Sequence, residues 1–442
     1  MEQELGHDEA MALCEALATE PTTSVRLNPL KMTTSKWESR KVEWSRWGYL
    51  LDARPSFTLD ADFHAGAYYV QEASSQFAGY IMSQALGGEQ ECEGKYILDM
   101  CAAPGGKSTH YATLVGERGL VVANEINRSR AAVLADNARK WGLGNMVVSC
   151  NDSSRFRQVE EWFDAVAVDA PCSGEGMFRK DASARDEWST QAVKHCAERQ
   201  RSILADVWDA LKPGGVLLYS TCTFNREENE DNVQWICEAL GAEVLPIAYE
   251  STWGITEGSV GYHFYPHRAK GEGFYLCALR KNDDEEVRTV KIKTPKNSPA
   301  CPHPEFLGAM RSWLQHPEEW AIRYVDRFAT AYPIKYKELI DWLSTQLTCI
   351  STGFGLGEER GRGIAPQHSL SMAKDLNKEA FPTVALSREQ ALSYLRTEAL
   401  SLVDVPLGLL LLTYEGVPLG FAKNVGNRQN NLYPNEWRIR HL

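Results

Sequence analysis

Between residues 96 and 281, short apolar runs alternate with longer stretches of helix-forming composition. The runs are rich in β-branched and aliphatic residues and lie at about 96–100, 119–124, 146–150, 163–169, 214–220 and 273–280. Strands that alternate with helices predict βαβ units and a mostly parallel sheet covered by helices on both faces. Because ligands of such sheets bind beyond the carboxyl ends of the strands, the residues after each run are candidates for chemistry.

Residues 1–65 have a different pattern, which predicts a small N-terminal α+β segment. An amphipathic helix is expected over about 7–19, followed by short strand-like runs. The stretch 21–50 has six basic residues, Arg26 the first, against two acidic ones, and three tryptophans lie among them: Trp37, Trp44 and Trp47. Such interleaving suits a surface that binds phosphates and stacks on unpaired bases, with Arg26 as an RNA contact. A small sheet whose tryptophans face its own core would give the same pattern, so both interpretations stay open.

The chain changes again after the alternating region, which we assign to one domain over 66–283. Residues 284–304 are charged and then Lys- and Pro-rich, which is typical of a linker. The region 305–442 is expected to be a further unit of α+β type. Its patterns predict helical runs near 304–346 and 387–400, a Gly-rich stretch (GFGLGEERGRG) between them and a late strand (LGLLLLTYEG).

Composition narrows the class of protein further. The chain has 442 residues, 43% apolar, with no apolar run long enough to span a membrane and an acidic, polar start, so we expect a cytoplasmic protein. In such a compartment the eleven cysteines are expected to be reduced, and without a CxxC pair no metal site is predicted.

The net charge of −12 is unusual for a protein that binds nucleic acid, but the charge is unevenly distributed. Residues 285–442 have 19 basic and 17 acidic residues, a balance of +2 that leaves −14 for the rest. Net charge governs non-specific affinity, whereas a local basic surface is enough to hold phosphates. RNA binding is therefore compatible with the composition.

A loop of small residues follows the first predicted strand and opens a helix, in the sequence DMCAAPGGKSTH. Paired glycines at such a place let a ligand approach the backbone closely. The GKS triplet resembles the end of a phosphate-binding loop, but the first glycine of that motif would fall on Cys101, and Pro104 removes an amide. We therefore exclude an NTPase or kinase site.

Four successive predicted strands end in acidic residues: Asp99, Glu125, Asp152 and Asp169. A carboxylate at the end of the second strand can accept hydrogen bonds from ribose hydroxyls, and one at the third can reach an adenine amine. The four together predict an adenosine-binding rim. Because the loop is not GxGxxG, S-adenosylmethionine fits this rim better than NAD.

Two cysteines lie at the ends of later strands, in AVDAPCSGEG (Cys172) and LLYSTCTFN (Cys222). A thiolate that adds to C6 of cytosine activates C5 toward a methyl sulfonium, and it must leave again after methyl transfer. Asp169, three residues before Cys172, could stabilise the charge that develops on the ring. Free cysteines are often only small buried hydrophobes, and local spacing does not decide which of the two thiols attacks.

Four motifs together resemble the Sun-type family of RNA cytosine-C5 methyltransferases: YYVQEASSQ, DMCAAPGGKS, DAPCSGEG and YSTCTFNREENE. The resemblance implies a class I, Rossmann-like methyltransferase of α/β class, with Cys222 as nucleophile and Cys172 assisting adduct release. It implies that Lys107 faces the base or the cofactor carboxylate. The implied S-adenosylmethionine site comprises Cys101, Ala102, Ala103, Pro104, Gly105, Gly106, Lys107, Glu125, Asp152 and Asp169.

The C-terminal stretch GVPLGFAKNVGNRQNNLYPNEWRIR is similar to the end of bacterial small-subunit ribosomal RNA methyltransferases of the F type. The resemblance implies a PUA-like module in 305–442 and, as substrate, a cytosine in the decoding region of 16S rRNA or the small subunit. The candidate RNA contacts are Lys423, Arg428, Arg438 and Arg440. We expect a monomer with no membrane partner. A ribosome assembly factor with incidental methylation and a tRNA cytosine methyltransferase stay as alternatives.

Overall fold

The computed structural model describes residues 2–37, 39–283, 303–361 and 363–440. Its N-terminal part is a four-stranded antiparallel sheet of order β2-β3-β1-β4 with short helices. The elements are α1 (Glu2–Leu5), α2 (His7–Leu17), β1 (Thr23–Leu27), β2 (Ser39–Lys41), β3 (Gly48–Leu51), α3 (Ala61–His64) and β4 (Tyr68–Val70). The last strand, β4, lies beyond the boundary predicted at residue 65, because it pairs with β1 through Val25 and Val70.

The tryptophans of this segment lie in or against the core. Trp44 is buried, its indole Nε1 donates to the Ala73 carbonyl at 2.7 Å, and its ring packs edge-on against Phe77 and Phe264. Trp37 is half-buried, with its ring 4.8 Å from that of Tyr68. For Trp44, the prediction of a base-stacking surface is therefore wrong, and the alternative of a small sheet with its own core is correct.

The central sheet contains the six strands predicted from the alternating pattern. Its elements are α4 (Phe77–Ala85), β5 (Tyr96–Met100), α5 (Gly106–Val115), β6 (Leu120–Asn124), α6 (Arg128–Trp141), β7 (Met146–Ser149), β8 (Phe163–Asp169), α7 (Ala182–Glu187), α8 (Thr190–Trp208), β9 (Leu211–Thr221), α9 (Glu230–Leu240), β10 (Ala242–Val244), β11 (Thr256–Glu257), β12 (Tyr262–Phe264) and β13 (Phe274–Lys281). The order in the described residues is β11-β12-β13-β9-β8-β5-β6-β7, with β10 also on β13. Strands β9, β8, β5, β6 and β7 are parallel, and β13 is antiparallel to β9.

Alternation along each strand buries both faces of this sheet. In β8, Ala165 and Ala167 belong to the core on one face, whereas Val166 and Val168 pack on the other with Leu204 of α8. Parallel strands covered on both faces read as continuous apolar runs, which is why the sequence pattern predicted them well. The fold class is confirmed as a Rossmann-like α/β domain.

The C-terminal region contains two further four-stranded sheets, of order β14-β15-β17-β18 and β19-β20-β21-β22. The first part comprises α10 (Pro304–Arg311), β14 (Trp320–Val325), β15 (Phe328–Pro333), α11 (Lys337–Gln346), β16 (Cys349–Thr352), β17 (Phe354–Arg360), β18 (Gly363–Pro366) and α12 (His368–Met372). The second comprises β19 (Thr383–Ala385), α13 (Arg388–Leu395), β20 (Gly408–Tyr414), β21 (Val417–Asn424) and β22 (Gln429–Asn431).

The prediction of helix over 304–346 is wrong in its middle. Residues 320–333 form the hairpin of β14 and β15, whose tight turn contains Asp326 at a φ of +54°. The Gly-rich stretch is strand β17, in which a Cβ on Gly355 would lie 2.0 Å from Gln367 Oε1. Close packing of neighbouring side chains therefore explains this glycine better than a loop does.

One strand of the C-terminal region belongs to the central sheet. β16 pairs antiparallel with β7, Cys349 opposite Ser149, and closes that edge of the sheet. The predicted linker 284–304 lies almost wholly outside the described residues, and α10 begins at its last residue, Pro304. Among the residues described, no helix is both long and apolar enough to cross a membrane.

Candidate active site

The loop between β5 and α5 is tightly packed at the carboxyl edge of the sheet. Cys101 and Gly105 both have positive φ, +59° and +108°. A Cβ on Gly105 would lie 2.9 Å from Leu134 Cδ1, and one on Gly106 would lie 3.3 Å from Tyr69 Cε1. A larger residue at Gly105 would be strained by the positive φ and would crowd Leu134 of α6, and one at Gly106 would crowd Tyr69 of β4.

Arg26 supports this loop from below, and its predicted role as an RNA contact is wrong. Its side chain is only 1% exposed, because it crosses from β1 into the core. Its guanidinium donates to the Gly106 carbonyl at 2.9 Å and to Thr109 Oγ1 at 2.7 Å, and lies 4.4 Å from the ring centre of Trp141. The guanidinium of Arg26 thus stabilises the first turn of α5 and does not face a surface where RNA could bind.

The acidic residues at the strand ends differ in their surroundings. Asp99 is buried and accepts a hydrogen bond from Ser108 Oγ at 2.6 Å, and burial raises its pKa to about 7. Glu125 is nearly buried, with Oε1 accepting from the Asn127 amide at 3.0 Å and Oε2 3.4 Å from the Arg130 guanidinium. Asp152 is exposed and accepts from the Ser154 amide.

The acidic residues and the loop fit S-adenosylmethionine. Glu125 Oε2 accepts no hydrogen bond from the described residues, so it can accept one from a ribose hydroxyl. Helix α5 begins at Gly106, next to this loop, and its dipole favours a carboxylate at that end. Asp99 lies beneath the loop and is fully buried, so it supports this site from below.

A partly buried ion pair joins the cofactor loop to the end of β8. Lys107 Nζ lies 2.8 Å from Asp169 Oδ2, and Ser220 Oγ donates to Asp169 Oδ1 at 2.8 Å. Burial works to lower the pKa of Lys107, but the charge and hydrogen bond of Asp169 outweigh it and the net shift is upward. Lys107 thus remains charged, and the pair offers an acceptor and a donor in one place.

The two predicted thiols are in contact, although fifty residues separate them in the chain. Cys172 Sγ lies 3.1 Å from Cys222 Sγ, and the Cys222 amide points at Cys172 Sγ at 3.3 Å. They meet because β8 and β9 are neighbours in parallel register, with Asp169 opposite Ser220. The Cys222 sulfur and burial raise the pKa of Cys172 well above its ordinary value.

Sequence reasoning missed two buried carboxylates beside the thiols. Glu175 is 3% exposed and Glu228 is fully buried, and both accept several hydrogen bonds from the loops that carry the cysteines. The signal was present in GEG and NREENE, but acidic residues in such loops usually face solvent. Only burial distinguishes Glu228 from its exposed neighbour Glu227.

The candidate RNA contacts of the C-terminal region are exposed. Lys423 projects from β21, Arg428 lies in the turn to β22, and Arg438 and Arg440 lie near the end of the described chain. Their contact with RNA remains a prediction. No group of three or more His, Cys, Asp or Glu side chains able to hold a metal ion occurs within the described ranges.

The class of the protein follows from three features: the order of the strands in the central sheet, the loop after β5 and the acidic residues at the strand ends. Together they define a Rossmann-like methyltransferase. Three family models match the chain: "16S rRNA methyltransferase RsmB/F" over residues 89–280, "N-terminal domain of 16S rRNA methyltransferase RsmF" over 1–73 and "Methyltransferase RsmF PUA domain" over 381–439. The matches follow the order of the predicted N-terminal segment, methyltransferase domain and PUA-like region, and the predicted boundaries stay predictions.

Curated relatives share this organisation over nearly their whole length. The chain is 32% identical to ribosomal RNA small subunit methyltransferase F of Aliivibrio fischeri (strain MJ11), covering 99% of this chain and 94% of the relative. It is 31% identical to the protein of that name from Enterobacter sp. (strain 638), covering 93% and 89%. The chain belongs to the RsmB/F family of 16S rRNA methyltransferases, which confirms the family predicted from the motifs; it is an S-adenosylmethionine-dependent RNA methyltransferase of the F type.

Solved structures agree on the fold. A methyltransferase homolog protein from Pyrococcus horikoshii superposes with a TM-score of 0.55 at 27% identity, covering 63% of this chain and 92% of that one. NSun6 from the same organism, solved with SFG, gives 0.54 at 20% identity, covering 64% and 97%. In both superpositions the matched region is a little under two thirds of this chain.

Proposed function

We propose that the protein methylates C5 of a cytosine in 16S rRNA, in the decoding region of the small ribosomal subunit, through a covalent adduct with Cys222. The observation that carries the proposal is the contact of two thiols at 3.1 Å beside a partly buried lysine–aspartate pair, all at the carboxyl edge of one sheet. A methyltransferase acting on an ordinary nucleophile needs no such thiol pair, whereas cytosine C5 must be activated by addition at C6.

The cofactor would be held by the loop Cys101–Lys107 together with Glu125, Asp152 and Asp169. Bound S-adenosylmethionine would supply the methyl group and the sulfonium leaving group. Glu125 is the side chain suited to the ribose hydroxyls, since one of its oxygens accepts no hydrogen bond from the described protein.

Cys222 is the better candidate for the attacking thiol. The Cys222 sulfur and burial raise the pKa of Cys172 and so favour its thiol form, and we therefore assign the attack on C6 to Cys222. Asp169 would accept a hydrogen bond from the exocyclic amine of the base, and Lys107 would stabilise negative charge as it develops on the ring. This division agrees with the one that the Sun-type resemblance implies.

Release of the product requires two further changes. The C5 proton must pass to a base from solvent, its electron pair re-forms the C5–C6 double bond, and the bond between Cys222 Sγ and C6 breaks so that the thiolate leaves. Cys172, in contact with Cys222, is placed to give its proton to the departing thiolate. The thiol after the DAP motif would thus assist release.

The RNA would be held by regions outside the catalytic edge. A base inside a structured RNA must be flipped out to reach the thiols, so the flanking domains have to bind the surrounding RNA. The exposed Lys423, Arg428, Arg438 and Arg440 suit phosphate contacts. We propose that the protein acts as a monomer in the compartment where the small subunit is assembled, which in bacteria is the cytoplasm.

The proposal is tested with purified protein, 16S rRNA or small subunits lacking the modification, and a methyl-labelled cofactor. Label recovered as 5-methylcytidine after nuclease digestion supports it, and label in another nucleoside, in tRNA alone or in protein contradicts it. Cys172→Ala is expected to accumulate a covalent protein–RNA species, and Cys237→Ala on α9 serves as the matched control. Full subunit assembly in cells that carry only Cys222→Ala would favour an assembly factor whose methylation is incidental.

A further inference from the structure

The loops that carry the two thiols are tied together by carboxylates that the proposed chemistry does not use. We define the first thiol loop as residues 170–177 and the second as residues 222–229. Glu175, in the first loop, reaches across to the second: its Oε2 accepts from the Phe224 amide at 2.8 Å, the Asn225 amide at 3.0 Å and Thr223 Oγ1 at 2.8 Å. Three donors that follow Cys222 thus converge on a single oxygen.

Glu228, in the second thiol loop, makes the reverse connection. Its two carboxylate oxygens lie 3.3 and 3.1 Å from the Ser173 amide, which follows Cys172 directly. Gln200 Nε2 donates to the same carboxylate at 2.7 Å and also to the Pro171 carbonyl at 3.0 Å, so it holds the backbone on the other side of Cys172. Asn225 Nδ2 donates to Glu228 Oε1 at 2.8 Å.

The partners of both carboxylates are all donors; at Glu228 their hydrogen bonds work to lower its pKa, but burial outweighs them and the net shift is upward. Hydrogen bonds to a charged acceptor are shorter and about twice as strong as neutral ones, and burial strengthens them further. The backbones also touch: the Gly176 amide donates to the Cys222 carbonyl at 2.9 Å, and a Cβ on Gly176 would lie 2.9 Å from that oxygen. The two loops therefore have little freedom to move apart.

We infer that Glu175 and Glu228 are positioning residues that form a reciprocal clamp and hold the two sulfurs in contact. Glu175 positions the chain after Cys222, and Glu228 positions the chain after Cys172. The effects of the two glutamates on adduct formation and on adduct release, which are predicted below, rest on the proposed function. The clamp itself concerns only the distance between two sulfurs, which is measurable without RNA or cofactor.

The distance is tested by thiol oxidation of the fully reduced chain. With oxidised glutathione, the two cysteines form one S–S bond and lose two protons and two electrons, and the glutathione disulfide is reduced to two glutathione thiols. Alkylation at set times followed by peptide mass spectrometry measures the Cys172–Cys222 crosslink. Cys172→Ser, which removes one partner, gives the background.

Glu175→Gln and Glu228→Gln should each slow this crosslink by about tenfold or more, because an amide placed among donors misplaces the loop. Glu227→Gln is the matched control, since Glu227 is the exposed neighbour of Glu228 and its loss should leave the rate unchanged. The clamp is overturned if the two variants, folded by circular dichroism and thermal melting, crosslink at the wild-type rate. A folded wild-type chain that forms no crosslink would overturn it as well.

Two milder variants cover the case in which a glutamate substitution prevents folding. Thr223→Val removes one donor to Glu175 and Asn225→Ala removes one donor to Glu228, while both carboxylates stay in place. Each should slow the crosslink by about threefold. Wild-type rates in both variants would contradict the clamp.

Turnover of RNA separates the two halves of the clamp. Glu175→Gln is expected to lower formation of the covalent adduct, and Glu228→Gln is expected to accumulate it, with the KM for RNA unchanged in both. If the wild-type chain methylates no cytosine but the crosslink rates follow the predicted order, the proposed function fails and the clamp stands. If methylation occurs and the crosslink rates are equal, only the clamp fails.

Discussion

The catalytic edge of the central sheet and the exposed face of the C-terminal region use charge in opposite ways. At the catalytic edge, Lys107 and Asp169 are paired at 2.8 Å, and Glu228 is buried among donors. On the C-terminal region, Lys423 and Arg428 are exposed to solvent. Charged groups that are paired and at least partly buried have a fixed geometry, whereas exposed cations give affinity that depends on salt. Substitutions in the first region should change chemistry, and those in the second should change binding.

The N-terminal segment shows why a basic stretch does not by itself indicate which of these two uses applies. Arg26 and Lys423 are both cations in strands with aromatic residues nearby, yet Arg26 is buried beneath the cofactor loop and Lys423 faces solvent. The two side chains differ because the cofactor loop and α5 pack against Arg26, whereas Lys423 is exposed to solvent. Burial of Arg26 requires several donors to be satisfied at once, and the Gly106 carbonyl, Thr109 and Gln71 satisfy them.

The largest effect is expected from Cys222→Ala. Without the attacking thiol the C5 position is not activated, so methyl transfer to 16S rRNA should fall by about 1,000-fold or more. RNA affinity in a filter-binding assay should stay within about twofold of the wild type. If the variant transferred methyl groups at nearly the wild-type rate, the proposed contrast between the catalytic edge and the C-terminal region would be wrong, because methyl transfer would then not depend on the catalytic edge.

Arg26→Met should mainly affect stability, in contrast to a substitution on an RNA-binding surface. The variant leaves the acceptors Gly106 O, Thr109 Oγ1 and Gln71 Oε1 without their buried partner, at a cost of about 3 kcal/mol in the free energy of unfolding. Urea denaturation measures this loss. Unchanged stability together with weaker RNA binding would instead support the predicted role of Arg26 as an RNA contact.

Asp99 should make the stability of the protein fall as the pH rises. Its folded pKa of about 7 lies above the ordinary aspartate value, so between about pH 4 and pH 7 the folded state binds more protons than the unfolded state. The free energy of unfolding should decrease through that window by a few kcal/mol, of order 1.4 kcal/mol per pH unit. Asp99→Asn should remove this contribution, and denaturation curves of both proteins at several pH values measure it.

The smallest effects are expected from single substitutions of Lys423, Arg428, Arg438 and Arg440 by alanine. Each should weaken RNA binding severalfold and reduce the slope of log affinity against log salt by about one or less. The rate of transfer at saturating RNA and the affinity for S-adenosylmethionine should not change. Equal loss of cofactor affinity would show that these residues support the fold and not an RNA surface.

Prediction from sequence worked best where local pattern and environment agree. The runs that became β5 to β9 are apolar because both faces of a parallel sheet are buried, and the two thiols follow such runs directly. It failed at β14 and β15, where the pattern of aromatic and polar residues fits a strand or a helix equally over short lengths. The partners of Glu175, and the Ser173 amide that binds Glu228, lie about fifty residues away in the chain, and no local pattern specifies them.

The sequence by itself determined that this chain contains a parallel sheet, a small-residue loop for a cofactor and two cysteines at strand ends, because these depend on the order of residues along single elements. Tertiary structure alone decided that Cys172 touches Cys222, that Arg26 is buried and that β16 closes the sheet. Contact between distant segments depends on which strands become neighbours. That choice is made by the packing of the whole core, to which every segment contributes.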